Sequence, residues 1–205
     1  MLDLVKKIVE TGYDAIAEHY LTWSAQITDD PRAHYLNELD HRLDDNAKVL
    51  ELGCGAGVPS TRKLAERHDV LGVDLSQQQL DLARTNVPGA RFEKADMTAL
   101  DFPDGQFDAV AAFYSILHVP RAEQPALIAN IARWLKPGGL FLASLGVGTP
   151  DATEDWLGVE MFFGSNTPAR NRELLAQHLE IVIDDLVTMH EPDPATFHWV
   201  LARKH

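Results

Sequence analysis

The segment Val49-Leu50-Glu51-Leu52-Gly53-Cys54-Gly55-Ala56-Gly57 indicates a short buried strand that runs into a glycine-rich turn. Glycines at alternate positions let the backbone turn sharply and leave no Cβ between the main chain and a ligand. Pro59 is compatible with the first turn of a following helix, whose unpaired N–H groups would face that ligand. This strand, turn and helix predict an α/β fold with a binding site at the turn.

The glycine spacing differs from the G-x-G-x-x-G of dinucleotide-binding folds, since Gly53, Gly55 and Gly57 alternate with single residues and Glu51 precedes them. A pyrophosphate is anionic, whereas an acidic residue beside the turn suits a ligand with positive charge. S-adenosylmethionine carries a sulfonium and an ammonium group, and the nonapeptide resembles the first motif of class I S-adenosylmethionine-dependent methyltransferases. Taken alone, the segment is also compatible with an ordinary turn in another α/β protein.

Composition restricts the class of protein. The 205 residues, 45% of them hydrophobic, suit one domain with a full core, and the single Cys54 excludes an internal disulfide or a thiolate zinc cluster. The net charge of -13 disfavours nucleic acid as a partner. The N-terminus lacks a secretory pattern and no stretch is apolar enough to span a bilayer. We therefore expect a soluble, cytoplasmic protein without membrane contact, and the oligomeric state is left open.

Residues 3–43 predict helices, with breaks at Gly12 and Pro31. The segment Gly12 to Tyr20 resembles the cap of small-molecule methyltransferases, which implies that Tyr13 and Tyr20 contact the cofactor and that His19 lies near the substrate. Aromatic faces attract a sulfonium through the ring quadrupole. Packing of these helices on the sheet is an equally weighted alternative.

The next acidic residues follow two predicted strands. Asp69 to Asp74 predicts the second strand, and Ser76 can cap a helix over Gln77 to Asn86. Asp74 could accept both hydroxyls of a ribose, although dinucleotide enzymes carry an acidic residue at a similar place. Arg91 to Ala95 predicts a third strand, and the resemblance implies that Asp96 and Met97 after it contact adenine.

The fourth strand, Phe107 to Tyr114, is continuously apolar, and Ser115 to Pro120 follows it. Its "FDAV" start and the later "LHVP" resemble the fourth motif of small-molecule methyltransferases, which implies that Phe113, Tyr114, Ser115 and His118 lie near the transferable methyl group. His118 is the first candidate base for a hydroxyl acceptor, with Tyr114 and His19 as alternatives. A hydrogen-bonded structural histidine is the competing interpretation.

The last third of the chain predicts a helix at Glu123 to Leu135, a type II turn at Lys136 to Gly139 and a strand at Leu140 to Leu145. The apolar segment 146–166 is predicted to be a loop that forms a wall of the substrate pocket, or a small satellite core. A helix at Pro168 to His178 precedes two strands, Leu179 to Met189 and Ala195 to Arg203. The short turn 191–194 makes these strands antiparallel, a feature that distinguishes the methyltransferase sheet from the nicotinamide-binding one.

The resemblance extends from Tyr13 to Lys204 and implies a Rossmann-like α/β fold. We expect a seven-stranded, mostly parallel sheet with an antiparallel last strand, helices on both faces and an N-terminal helical cap. The single domain 1–205 would comprise the cap (1–45), the cofactor-binding core (46–145), the substrate-side loop (146–166) and the closing helix and hairpin (167–205).

The function implied by the resemblance is methyl transfer from S-adenosylmethionine to a small-molecule acceptor, with no metal. The alternatives are a nicotinamide-dependent oxidoreductase and a non-catalytic cofactor-binding scaffold. The acceptor and its reactive atom are left open. The implied cofactor residues are Tyr13, Tyr20, Glu51, Gly53, Cys54, Gly55, Asp74, Leu75, Asp96, Met97 and Phe113. The candidate catalytic residues are His118 and Tyr114, and the candidate substrate residues are His19, Trp156, Met161 and Phe162.

Overall fold

A computed structural model describes residues 2–190 and 193–205 of the chain. Its helices are α1 (Leu2–Ser24), α2 (Arg32–Asp40), α3 (Ser60–Leu64), α4 (Gln77–Asn86), α5 (Gln124–Trp134) and α6 (Pro168–Ala176). Its strands are β1 (Lys48–Leu52), β2 (Asp69–Asp74), β3 (Arg91–Lys94), β4 (Phe107–Phe113), β5 (Leu135–Leu145), β6 (Ala152–Trp156), β7 (Val159–Phe163), β8 (Leu179–Met189) and β9 (Ala195–Lys204). A short 3-10 turn, Ile116–His118, follows β4.

Seven strands form one sheet in the order β3-β2-β1-β4-β5-β9-β8. Strands β3, β2, β1, β4 and β5 pair in parallel, whereas β9 is antiparallel to both β5 and β8. The predicted mostly parallel sheet with an antiparallel last strand is confirmed. Because parallel strands end at the same edge, the residues after β1, β2 and β4 meet there.

Helices cover both faces of this sheet, because successive side chains of a strand point to opposite sides. On one face, Leu50 packs in a layer with α5 and α6 and with Trp134. On the other face, Val49 packs with α2 and α3 and with Trp199. Both tryptophans are fully buried, so the central strands are enclosed on both sides.

The N-terminal helix α1 is continuous through Gly12, so the predicted break at that residue is wrong. A Cβ on Gly12 would lie 2.8 Å from the Cε of Met161 and 3.1 Å from the carbonyl oxygen of Glu160, both in β7. The glycine therefore permits close packing of α1 on β7 rather than ending the helix. The predicted break at Pro31 is confirmed, since α2 begins at the next residue.

The prediction of a loop over 146–166 is wrong, because this segment contains the antiparallel hairpin β6–β7. Leu157 and Gly158 connect the strands with φ values of +53° and +82°. Two successive positive φ values are typical of a type I′ hairpin turn, where Asn-Gly is the usual sequence. Leucine at the first position of this turn hides the hairpin from sequence analysis.

The remaining connections agree with the sequence in their main features. Gly138 has a φ of +77°, as the third position of a type II turn requires, and it lies within the long strand β5. Strands β8 and β9 pair over nearly their whole length. Of the turn predicted at 191–194, Glu191 and Pro192 lie outside the described residues.

Candidate active site

A cavity with about 1020 Å³ of space, part of it open to solvent, lies between α1 and the carboxyl ends of β1, β2 and β4. A concave site at the carboxyl ends of parallel strands is typical of small-molecule binding in α/β folds. The predicted cofactor residues and the two main catalytic candidates line the cavity, whereas the alternative base His19 does not. The lining residues among them are Tyr13, Tyr20, Glu51, Gly53, Cys54, Gly55, Asp74, Leu75, Asp96, Met97, Phe113, Tyr114 and His118.

The glycine turn places bare backbone against the end of β4. Gly53 has a φ of +72°, and a Cβ on it would lie 2.3 Å from the Cβ of Ser115. A Cβ on Gly55, by contrast, would meet only Oε1 of Gln79, at 3.7 Å. Gly53 is therefore required by the protein itself, whereas at Gly55 there is room above the main chain.

The N–H groups of Gly53, Cys54 and Gly55 are satisfied within the protein. Those of Gly53 and Cys54 both donate to the carbonyl oxygen of Val73, and that of Gly55 donates to Oδ2 of Asp74 at 2.8 Å. The turn consequently offers a surface without side chains rather than a set of free donors.

Asp74 ends β2 with its carboxylate held by backbone donors. Its Oδ2 accepts from Gly55, and its Oδ1 accepts from the N–H of Ser76 at 2.9 Å. Burial raises the pKa of Asp74 above its ordinary value, and the backbone hydrogen bonds oppose this shift. Each carboxylate oxygen retains a lone pair for a ligand donor.

Glu51 is the most enclosed carboxylate in the cavity wall, with 2% of its surface exposed. The hydroxyl of Thr61 donates to its Oε2 at 2.5 Å. Burial raises the pKa of Glu51 to about 7, although the Thr61 hydroxyl and the charge of Arg32 act in the opposite direction. A cationic ligand group beside Glu51 would favour its ionised form.

Asp96 is engaged by a residue that sequence analysis missed. Nζ of Lys6 lies 2.8 Å from Oδ2 of Asp96 and 3.1 Å from Oε2 of Glu123, and it donates to Oγ1 of Thr98 at 2.7 Å. Lys6 thereby joins α1 to the loop after β3. Its place seven residues before Tyr13 puts it on the same helical face, and this periodicity was the available signal.

His118 is held between α1 and the hairpin β6–β7. Its Nδ1 lies 2.7 Å from the carbonyl oxygen of Phe162, and its Nε2 lies 2.8 Å from the hydroxyl of Tyr13. A carbonyl can only accept, so Nδ1 carries the proton. Burial lowers the pKa of His118 to about 4, and the Phe162 carbonyl opposes this shift. The imidazole is therefore neutral at pH 7, and its Nε2 accepts from Tyr13.

Tyr114, the other predicted catalytic residue, is tied to α2 and the segment before it. Its hydroxyl donates to Oδ1 of Asp30 at 2.9 Å, and its backbone N–H donates to Oγ of Ser144. Burial raises the pKa of this phenol well above its ordinary value. The phenol consequently keeps its proton, and the phenolate that could act as a general base is not populated.

Arg32 is a second cavity residue that the sequence did not reveal. Its Nε donates to Oδ2 of Asp30 at 2.8 Å, and its guanidinium carbon lies 4.9 Å from the centre of the Tyr114 ring. Only 12% of its side chain is exposed. The adjacent Pro31 marked a helix start, but no spacing in the sequence linked this arginine to the glycine turn.

The four candidate substrate residues do not line the cavity. His19 is exposed on α1, whereas Met161 and Phe162 are buried in a small core with Val9. The ring of Trp156 lies 5.6 Å from that of Tyr20, within an aromatic cluster beside the lining. For Met161 and Phe162, the satellite core is the arrangement that the structure shows, because apolar packing under α1 encloses both side chains.

Neither a metal-binding cluster nor a membrane-spanning helix is found among residues 2–190 and 193–205. Those residues contain no group of three or more histidine, cysteine, aspartate or glutamate side chains arranged to hold a metal ion. Within the same ranges, every helix is too short or too polar to cross a membrane.

Comparison with known proteins shows which family has this arrangement. The profile of the family described as "Methyltransferase domain" matches residues 49–139, from β1 to the turn in β5. A phosphoethanolamine N-methyltransferase of Triticum aestivum is 38% identical over 108 residues, which cover 50% of this chain and 21% of that protein. Residues 49–139 therefore form a methyltransferase domain, and the chain as a whole is similar to S-adenosylmethionine-dependent methyltransferases. S-adenosylmethionine is thus its cofactor, as predicted, and the nicotinamide alternative is disfavoured.

Two further relatives of this methyltransferase chain cover more of it. Sterol 24-C-methyltransferase erg-4 of Neurospora crassa is 30% identical over 190 residues, which cover 89% of this chain and 43% of that protein. The chain therefore spans less than half the length of both curated relatives. The structure of Burkholderia thailandensis 1,6-didemethyltoxoflavin-N1-methyltransferase, with bound 1,6-didemethyltoxoflavin and S-adenosylhomocysteine, has a TM-score of 0.76 at 20% identity. The alignment covers 100% of this chain and 90% of that one, and shows a shared fold.

The residues present fit this cofactor. Carboxylates at three neighbouring strand ends provide acceptors, and tyrosine rings line the side formed by α1. The amide of Gln79, in the wall beside Gly55, has no hydrogen-bond partner among the described residues. The cavity thus has unused polar capacity that a nucleoside ligand can satisfy.

Proposed function

We propose that this chain transfers a methyl group from S-adenosylmethionine to a small-molecule acceptor. The observation that carries the proposal is one cavity beneath α1 into which Glu51, Asp74 and Asp96 all project from adjacent strand ends. When bound, the cofactor would supply a methyl group on a cationic sulfur. The acceptor's lone pair would form the new bond to the methyl carbon, and the sulfur would depart with the old bond's electrons as a neutral thioether. The protein's own contribution is to align the two reactants, which lowers the activation free energy by about 7 to 11 kcal/mol in well-ordered cases.

The charges in the cavity wall suggest how the cofactor is held. Glu51 suits an ammonium group, and the nearby guanidinium of Arg32 suits a carboxylate, so this pair would bind the amino-acid portion of the cofactor. Asp74 would accept from the ribose hydroxyls. Gly53, Cys54 and Gly55 would approach the methionine portion, Leu75, Asp96 and Met97 the adenine, and Tyr13, Tyr20 and Phe113 the sulfonium.

A small acceptor is supported by the enclosure of the cavity under α1 and by the net charge of -13, which disfavours a nucleic acid substrate. Two similar proteins are named as methyltransferases of small molecules, phosphoethanolamine and 1,6-didemethyltoxoflavin. These names add support for the class of acceptor and leave its identity open.

The hydrogen bonds in the cavity favour an acceptor that needs no strong base. The hydroxyl of Tyr114 donates a hydrogen bond to Asp30, and Nε2 of His118 already accepts one from Tyr13. An amine, thiolate or enolate acceptor is nucleophilic without help from either group. A hydroxyl acceptor would need His118 to exchange Tyr13 for the acceptor as its hydrogen-bond donor.

The test is calorimetry with S-adenosylhomocysteine and with NADH on the wild-type chain and two variants. We expect micromolar binding of S-adenosylhomocysteine, no binding of NADH, and about tenfold weaker binding in Asp74→Asn, which loses a charged acceptor. Asp69→Asn is the matched control, because Asp69 is exposed at the opposite end of β2.

Binding of NADH in preference to S-adenosylhomocysteine would contradict the proposal. If S-adenosylhomocysteine binds but no acceptor in a broad panel causes S-adenosylmethionine to be consumed, the non-catalytic scaffold becomes the better interpretation.

A further inference from the structure

We propose that His118 is a positioning residue, which fixes the hydroxyl of Tyr13 so that the phenolic oxygen presents only lone pairs to the cofactor's sulfonium. This inference rests on the proposed function, because it assumes that the sulfonium occupies the cavity that both residues line. It gives His118 a different role from that of a general base.

The two hydrogen bonds of His118 have fixed directions. Phe162 offers a carbonyl oxygen to Nδ1 of His118 at 2.7 Å, so that nitrogen must be the donor. In a neutral imidazole the other nitrogen, Nε2, is then an acceptor. The Tyr13 hydroxyl at 2.8 Å must therefore donate to it.

The hydrogen bond to His118 fixes the position of the Tyr13 hydroxyl proton. A phenol has one proton and can otherwise rotate it towards any acceptor, including a ligand. With the proton directed at His118, the oxygen can only accept from its remaining side. Tyr13 belongs to the cavity lining, and the proposal places this acceptor side of the oxygen towards the ligand.

An oxygen that presents only lone pairs favours a ligand with positive charge. A sulfonium polarises the C–H bonds of its methyl group, and an oxygen lone pair attracts such a group by a weak C–H···O contact. The neutral thioether of S-adenosylhomocysteine has neither that charge nor that methyl group. The oriented oxygen therefore strengthens binding of the substrate form of the cofactor over the product form.

The rings around Tyr13 keep this geometry rigid. Its ring lies edge-on to those of Tyr20 and His118, with centroids 5.4 Å and 5.3 Å away, and Trp156 packs at 6.0 Å. The carbonyl of Phe162 belongs to β7, on which α1 packs. Tyr13, His118 and the hairpin thus form one hydrogen-bonded chain across the cavity wall.

The experiment measures dissociation constants for S-adenosylmethionine and S-adenosylhomocysteine by calorimetry, in the absence of acceptor. We expect Tyr13→Phe to reduce the preference for S-adenosylmethionine by about 3- to 10-fold, while the affinity for S-adenosylhomocysteine stays within about twofold. His118→Phe should have the same effect, because the tyrosine proton is then free to turn into the cavity.

His118→Gln is the conservative variant that should restore the preference. Its side-chain oxygen can accept from Tyr13, and its amide nitrogen can donate to Phe162. Tyr35→Phe is the matched control, since Tyr35 is a buried phenol bonded to Asp185 at 2.9 Å outside the cavity. That control should change the unfolding temperature and leave the cofactor preference unchanged.

An unchanged preference in Tyr13→Phe would overturn the inference. So would a loss of turnover in His118→Phe with the cofactor preference intact, which would assign His118 to the acceptor. If the wild-type chain binds neither cofactor form, the proposed function itself fails, a result distinct from both of these.

Discussion

Acidification should destabilise this protein through His118 within a defined pH range. Burial holds the pKa of His118 at about 4, below its ordinary value of 6.5. The folded state therefore excludes a proton that the unfolded chain binds. The stability that His118 contributes is fully present above pH 6.5 and is lost as the pH falls towards 4.

The size of this loss follows from the two pKa values. Lowering the pH from about 7.5 to about 5 should remove about 2 kcal/mol of unfolding free energy through this one side chain. Glu51 acts in the opposite direction, because its pKa of about 7 lets the folded state take up a proton as the pH falls. The contributions of His118 and Glu51 to the unfolding free energy consequently oppose each other over this pH range.

Comparison of the wild-type chain with His118→Gln separates the two effects. Urea unfolding followed by tryptophan fluorescence, at both pH values, should show the wild-type chain losing about 2 kcal/mol more than the variant. His41→Gln, at an exposed position, is the matched control and should behave as the wild type. Equal pH dependence in His118→Gln and the wild-type chain would refute the argument from burial.

Three substitutions test the packing around the cavity. Gly53→Ala should cost about 2 to 5 kcal/mol of unfolding free energy and abolish cofactor binding. The reason is that the residue has a positive φ and that the new Cβ would overlap the Cβ of Ser115. Retention of the wild-type urea midpoint would contradict this. Gly12→Ala should gain about 0.5 to 1 kcal/mol of unfolding free energy from helix propensity and lose about 1 to 3 kcal/mol by crowding Met161. The expected net result is a lower Tm in thermal unfolding, and a higher Tm would count against close packing of α1 on β7. Lys6→Met leaves Asp96 without its cation. We expect the amides of α1 to exchange hydrogen faster than in the wild-type chain, while those of the sheet exchange at an unchanged rate. If the α1 amides exchange no faster than in the wild-type chain, this ion pair does not hold the helix in place.

The order of the strands along the chain and most of their bounds could be predicted, because local patterns specify them. The helix over Gln77 to Asn86 agrees with the prediction at both ends, since Ser76 accepts from the backbone N–H of Gln79 as an N-cap should. The carboxylates at the strand ends could also be placed, because a parallel sheet brings its carboxyl ends to one edge.

Contacts between distant segments were beyond the sequence. Gly12 reads locally as a helix break, and only β7 packed against it explains why the helix continues. The hairpin β6–β7 was missed because Leu157 carries a positive φ without the asparagine or glycine that usually announces one.

The sequence alone determined the sheet, the glycine turn and the acidic strand ends, because each depends on residues within one strand–turn–helix unit. Only the tertiary structure decided which side chains are chemically available in the cavity. Lys6 and Arg32 reach it from helices far away in the chain, and His118 orients the hydroxyl of Tyr13 from 105 residues away. Hydrogen-bond direction and burial set the properties of these groups, and both arise only when the separate segments pack together.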